Sequence, residues 1–170
     1  SADGLTLARP RLESASLSRL ELEEKPADVP GAVDLPGFIE TGHYSIRIDR
    51  GSGAIVSLKL KPSGRELLGG PGNVIVAEKP KSQHGDPGDH ILDRPERDRL
   101  ADSGQFKPEI RVTSGRLATT VEIVSAFYGG GRLVRAMRFY SDYPRIDFEV
   151  ELNDIPDRTV VLAEFPLAED

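Results

Sequence analysis

The residue types that could do chemistry are concentrated in one short segment of this sequence, SQHGDPGDHILDRPERDR, residues 82–99. Two imidazoles and two carboxylates lie within seven residues there, at His84, Asp86, Asp89 and His90. Imidazole and carboxylate groups are common ligands of catalytic zinc, and aspartate-rich loops suit Ca²⁺ when carbonyl oxygens help. Glycoside hydrolysis also needs two carboxyl groups, about 5 to 10 Å apart. Metal binding and hydrolysis are therefore the two chemistries to weigh for this segment.

Glycine and proline leave the segment without a rigid frame. Ligands that are close in sequence normally project from one side of a helix or from alternate positions of a strand. Gly85, Pro87 and Gly88 disfavour both arrangements. Aspartates and arginines alternate further along, so the local charge nearly cancels. The pattern therefore favours a solvated polar loop over a metal site or a catalytic site.

A long loop in a compact domain is usually either functional or disordered, which leaves one functional use for this segment. It would cover the edge of a partner domain's cleft and contact carbohydrate or that domain. The side chains predicted to make such contacts are His84, Asp86, Asp89, His90 and Arg94. No residue of the chain is predicted to be catalytic or to bind a metal.

The elements that must position this loop show the two-residue period of β-strands. The stretch PRIDFEVEL, residues 144–152, places four apolar side chains on one face and four charged side chains on the other. Such alternation is typical of an antiparallel sheet with one buried and one solvated face. HYSIRID and AIVSLKL, joined by a Gly-containing turn, predict a hairpin over 44–60, whereas residues 79–108 show no period. Strands at roughly even spacing with Gly/Pro turns predict an all-β, antiparallel β-sandwich.

Composition limits the classes of partner and divides the chain. Residues 1–36 are expected to form an N-terminal segment or linker with short strands, and residues 37–170 the sandwich domain. The net charge of −6 argues against binding to nucleic acid, since phosphate contacts need clustered Lys and Arg. No run approaches 18 apolar residues, so no membrane span is predicted. Cysteine is absent, which excludes disulfides but does not fix the compartment.

Residues 39–68, IETGHYSIRIDRGSGAIVSLKLKPSGRELL, resemble the opening of the C-terminal β domain of glycoside hydrolase family 38 α-mannosidases. In that family a segment of the form [I/L]-E-N-x-[F/Y]-x-[V/I]-x-[I/V]-D precedes G-x-[I/L]-x-S-[I/L] and then G-[R/K]-E-[L/V]. The matching positions are Ile39, Glu40, Tyr44, Ile46, Ile48 and Asp49, then Gly53, Ile55, Ser57 and Leu58, then Gly64, Arg65, Glu66 and Leu67. GNVIVAEKP and LVRAMRFYSDYPRIDFEVEL are similar to later strands of that domain. The sequence departs from the family at residues 41–43, and where relatives often carry a Trp-rich stretch it has KSQHGDPGDHI.

The resemblance covers about residues 37–166 and implies a galactose-mutarotase-like β-sandwich, whole or in part. In that family the zinc and the nucleophilic aspartate belong to an N-terminal α/β domain. The resemblance therefore implies an accessory, non-catalytic domain with no cofactor of its own, and a catalytic domain absent from this chain that holds zinc or another divalent metal. The implied partners are that catalytic domain of the same polypeptide and carbohydrate.

Two other functions remain open from the sequence. The chain could be a stand-alone carbohydrate-binding or cell-surface β module. It could also be a self-sufficient sugar-active enzyme that uses residues 82–99. An activity of these 170 residues is not expected, whereas the parent protein is expected to be an α-mannosidase-like glycoside hydrolase.

Overall fold

A computed structural model of the protein describes residues 30–80 and 97–169, which form strands joined by turns and two short 3₁₀ helices. The strands are β1 (Gly31–Val33), β2 (Ile39–Glu40), β3 (Tyr44–Ile48), β4 (Ile55–Leu60), β5 (Arg65–Glu66), β6 (Val74–Pro80), β7 (Arg97–Asp102), β8 (Glu109–Ser114), β9 (Ala118–Ala126), β10 (Arg132–Tyr140), β11 (Ile146–Asn153) and β12 (Val160–Glu164). The 3₁₀ helices are Ser103–Gln105 and Tyr128–Gly130.

The described strands form three antiparallel sheets. The largest has five strands in the order β1-β8-β9-β10-β11, a second has four in the order β2-β3-β4-β5, and the third has three in the order β12-β6-β7. The predicted hairpin over 44–60 is confirmed, with Tyr44 directly opposite Leu60. The prediction of an all-β, antiparallel sandwich is also confirmed.

Two clusters of buried apolar side chains form the core. The first lies between the five-stranded and four-stranded sheets and combines their inward-facing residues. Its fully buried members include Ile46, Ile55, Val121, Ile123 and Met137. The second cluster lies against the three-stranded sheet and consists of Ile75, Ala77, Phe127 and Leu133. Along β3, β9 and β10, alternation therefore separates core side chains from more exposed ones, as the sequence pattern predicts.

Arg135 lies where these two clusters meet. It is on the inner face of β10 between Leu133 of the second cluster and Met137 of the first, and its side chain is 0% exposed. Nη1 donates to the carbonyl oxygen of Asn73 at 2.8 Å, and Nη2 donates to that of Ser52 at 2.7 Å. Burial lowers the pKa of Arg135 to about 10, so the guanidinium remains charged at neutral pH. One side chain thus joins β10 to the β3–β4 turn and to the residue that precedes β6.

The predicted loop over 82–99 was wrong for its last three residues, which belong to β7, and a 3₁₀ helix also lies within the stretch 79–108 that shows no period. β7 pairs with β6 through a register shift between Ala77 and Glu78. Its first residues, Arg97, Asp98 and Arg99, are charged on both faces of the strand, which hides the two-residue period. β7 is the last described strand on one side of its sheet, and charged side chains are common at edges because they discourage further pairing.

Candidate interaction surface

The five side chains predicted to contact carbohydrate or a partner domain lie outside the residues that the structure describes. They are His84, Asp86, Asp89, His90 and Arg94. The strands on either side of them are described: β6 ends at Pro80, and β7 begins at Arg97 directly opposite it. The segment between them therefore leaves and re-enters the three-stranded sheet at the same end.

The charges beside this segment are engaged in ion pairs with the sheet. An Arg97 nitrogen lies 3.6 Å from a Glu78 oxygen. Arg99 pairs with Asp102 at 3.2 Å and with Glu164 of β12 at 3.0 Å. Carboxylates from all three strands of the sheet thus offset the two arginines where β7 begins.

Several carboxylates of the described residues hold the fold in place. Glu66 shows this most clearly, because Oε2 accepts from the hydroxyl of Ser57 at 2.6 Å and Oε1 accepts from the amides of Leu58 at 2.7 Å and Leu68 at 3.3 Å. Burial acts to raise the pKa of Glu66, but the hydrogen bonds from Ser57 and these amides outweigh it, and the pKa is lowered. The carboxylate therefore fixes the path of the chain around β5.

Glu66→Gln is expected to destabilise the domain at pH 7 by about 2 kcal/mol, since an amide accepts fewer hydrogen bonds than a carboxylate does. The pKa of Glu66 is lowered in the folded state, so its contribution is complete above the unfolded value, about 4.3, and is lost as the pH falls through the folded value. The difference between wild type and variant should accordingly shrink below about pH 4. Urea unfolding at pH 7 and in mild acid measures it.

Glu109→Gln is the matched control, because the side chain of Glu109 is 79% exposed and, among the described residues, forms an ion pair only with Arg111, at 3.9 Å. It should change the free energy of unfolding by less than about 0.5 kcal/mol at either pH. Equal losses in the two variants would contradict the structural role assigned to Glu66.

A second polar group lies on the outer face of the five-stranded sheet. Asp147 accepts from the Tyr140 hydroxyl at 2.7 Å and from Nε of Arg145 at 2.5 Å. These hydrogen bonds, that from Tyr140 first, lower the pKa of Asp147. The ring of Tyr143, which is 50% exposed, meets the ring of Tyr140 edge-on at 6.5 Å. The aspartate is thus held ionised at the surface beside two tyrosines.

The apolar face of β11 is covered only in part, which corrects the prediction that it is buried. Phe148 and Val150 lie opposite Met137 and Arg135 on the same inner face, and both partners are 0% exposed. Phe148 is nevertheless 39% exposed and Val150 40% exposed. β11 is the last described strand of its sheet, so one flank of each of these side chains has no neighbouring strand.

Exposed apolar side chains continue from β11 to the end of β12. The ring of Phe165, just after β12, packs against that of Phe148 with a centroid distance of 5.0 Å, and it is 37% exposed. We call Phe148, Val150 and Phe165 together the apolar margin. Alternation within β11 shows which side chains share a face, but the covering of that face depends on residues distant in sequence, so the margin could not be predicted.

Two other kinds of site are absent from the described part of the chain. Across 30–80 and 97–169, no three His, Cys, Asp or Glu side chains are grouped so as to hold a metal ion. Nor does that part contain a helix of the length and apolar character needed to cross a membrane.

Comparison with known proteins identifies the domain. The model of one protein family, described as the glycosyl hydrolases family 38 C-terminal domain, matches residues 39–168. The match begins at β2 and extends past β12, so it includes both smaller sheets and every strand of the largest sheet except β1. No curated protein matched the chain. The chain belongs to the family of C-terminal domains of family 38 glycosyl hydrolases.

Proposed function

We propose that this domain is an accessory, non-catalytic part of an α-mannosidase-like glycoside hydrolase and that it supports a catalytic domain elsewhere in the parent polypeptide. The observation that carries the proposal is the family match over residues 39–168, because a C-terminal domain of this family is one part of a larger multi-domain protein. The three antiparallel sheets are compatible with a galactose-mutarotase-like sandwich. Zinc or another divalent metal would belong to the catalytic domain.

The carboxylates of the described residues support an accessory role. A general acid in glycoside hydrolysis needs a raised pKa, so that it carries a proton near neutral pH. The carboxyl pKa values that depart from normal here are all lowered, at Glu40, Asp49, Glu66 and Asp147. Each of these groups accepts hydrogen bonds from nearby residues of the fold. They stabilise strands and turns as anions, which is the opposite of what acid catalysis requires.

The segment between β6 and β7 is our proposed contact with substrate or with the catalytic domain. The side chains expected to make this contact are His84, Asp86, Asp89, His90 and Arg94. Imidazole, carboxylate and guanidinium groups all form hydrogen bonds with hydroxyl groups, which are the polar groups of a sugar. The strands on either side of it, β6 and β7, end and begin opposite each other at Pro80 and Arg97.

Assays with an aryl α-mannoside test the accessory role. The full-length parent protein and residues 1–170 alone are compared with added Zn²⁺ or Ca²⁺, after a cooperative thermal transition has established that the shorter chain is folded. We expect turnover by the full-length protein alone. Turnover by residues 1–170 that is lost in Asp86→Ala would instead support the self-sufficient enzyme.

A glycan array probed with the folded 170-residue chain tests the stand-alone carbohydrate-binding alternative. Tyr143 is the feature that favours this alternative, because its ring is half-exposed and meets the ring of Tyr140, whose hydroxyl donates to Asp147, and sugars stack on exposed aromatic side chains of this kind. Retention of mannose-containing glycans that is lost in Tyr143→Ala would support the stand-alone module. Absence of retention at millimolar sugar would leave the accessory role as the better account.

A further inference from the structure

The edge of β11 with which no described strand pairs combines two features that point to one kind of partner. The first is the apolar margin: Phe148 and Val150 project from the inner face of β11 and are about two-fifths exposed beside Phe165. Apolar side chains clustered at an open sheet edge are characteristic of a surface that another chain segment covers. A partner that extends the sheet would bury them and also pair with the edge of the backbone.

The second feature is the charge on the outer face of the same strand. Asp147 is offset by Arg145, but Glu149 and Glu151 lie opposite Ala136 and Val134, so neither faces a cation across β10. Over residues 30–80 and 97–169, neither glutamate forms an ion pair, and Glu151 accepts only from the Asn153 amide, at 2.9 Å. The strand thus presents apolar groups inward and, on its outer face, two glutamates that form no ion pair with the described residues.

We propose that β11 pairs with an extended segment of the parent polypeptide, as a sixth strand of the five-stranded sheet. Alternate residues of that segment are apolar, packing against Phe148 and Val150, and the residues between them are Lys or Arg, lying opposite Glu149 and Glu151. Opposite charges directly across two strands stabilise the pairing, and the apolar contacts fix which face points inward. The inference rests on the proposed function in one respect, which is that the partner belongs to the parent protein.

A second copy of this chain fits the same edge poorly. Antiparallel pairing of β11 with itself, centred on Glu149, would place Glu149 opposite Glu149 and Asp147 opposite Glu151. Centring the pair on Val150 would place Glu149 opposite Glu151. Like charges directly opposite each other destabilise a strand pair, and a net charge of −6 adds to the repulsion between copies.

Hydrogen exchange of the full-length parent protein, resolved to single amides of Ile146–Asn153, tests the proposal. Alternate amides of β11 bond to β10 and should be protected in any case, which makes them an internal reference. The amides that face away from β10 should exchange about 100-fold more slowly than an unstructured chain, if a strand pairs with them. Exchange of these amides at the unstructured rate would overturn the proposal.

Reversing the charge of the two glutamates distinguishes a basic partner strand from other causes of slow amide exchange in β11. Glu149→Lys with Glu151→Lys should accelerate exchange of the outward amides about tenfold, because two attractive pairs become repulsive. Glu109→Lys, on the outer face of β8 in the same sheet, is the matched control and should leave them unchanged. Protection that is indifferent to charge reversal, or that rises with protein concentration as the mass doubles, would overturn the proposal in favour of an uncharged strand or a second copy.

The activity assay and the hydrogen-exchange experiment can contradict their proposals independently of each other. Turnover by residues 1–170 alone would remove the accessory role without altering the exchange of β11. Unprotected outward amides would remove strand addition without altering the activity comparison.

Discussion

Arg135→Ala should be the most destabilising substitution considered for this domain, at about 4 kcal/mol, because it opens a cavity and leaves two carbonyl oxygens without donors. Both effects act at one place, since the side chain is 0% exposed and donates to Asn73 and Ser52. A loss of this size is a large fraction of the about 5 to 15 kcal/mol that a typical domain has. Urea unfolding at pH 7 measures it.

Arg135→Met separates the cavity from the loss of hydrogen bonds, and it can still be measured if the alanine variant does not fold. Methionine fills most of the volume and removes a charge whose burial is costly, but it cannot donate to either carbonyl. We expect about half the loss, roughly 2 kcal/mol. Arg132→Met, on an exposed position of the same strand, should cost less than about 0.5 kcal/mol. Similar losses at 132 and 135 would contradict the joining role of Arg135.

Gly53→Ala should be the second most destabilising change, at about 3 kcal/mol, from backbone strain and overpacking together. Gly53 has a φ of 69°, a conformation that residues with a side chain rarely adopt. A Cβ there would lie 2.8 Å from Nη2 of Arg135 and 2.8 Å from Cγ2 of Ile123. Neither neighbour can easily move, because Nη2 is bonded to Ser52 and Ile123 is in the core.

Gly64→Ala supplies a control with the same backbone. Gly64 also has a φ of 69°, but a Cβ there would meet nothing within 4 Å. It should therefore cost only the strain, about 1 kcal/mol, and the excess at Gly53 measures the contact. The double variant Gly53→Ala with Arg135→Met should lose less stability than the sum of the losses in the two single variants, since methionine has no Nη2 to displace. Equal losses at Gly53 and Gly64 would show that the contact is unimportant.

The hairpin over 44–60 and the shared face of β11 could be predicted because each depends on neighbours in sequence. Alternation shows which side chains point the same way, and a glycine shows where a turn can form. Arg135 illustrates the limit of such reasoning. In LVRAMRF it occupies a position that alternation assigns to the core, and this is the signal that it is special. Its acceptors are 62 and 83 residues away, so the pattern could not identify them.

The pairing of strands and the covering of sheet faces by residues distant in sequence could not be predicted. β7 was missed because an edge strand held by ion pairs needs no apolar period. The apolar margin was missed because alternation does not reveal whether another strand covers a face. Contacts of the segment between β6 and β7 remain a prediction, since its candidate side chains lie outside the described residues.

The order of the three-stranded sheet has a consequence for how the domain forms during synthesis. β6 lies in the middle of that sheet, with β7 on one side and β12, almost the last described segment, on the other. Val76 pairs with Leu162, so β6 and β7 emerge from the ribosome long before the strand that completes their sheet. Pairing between strands so distant in the chain is slow, because a long loop must close first. Until then the nascent hairpin exposes one edge of β6, a strand whose Ile75, Val76 and Ala77 are all buried at the end.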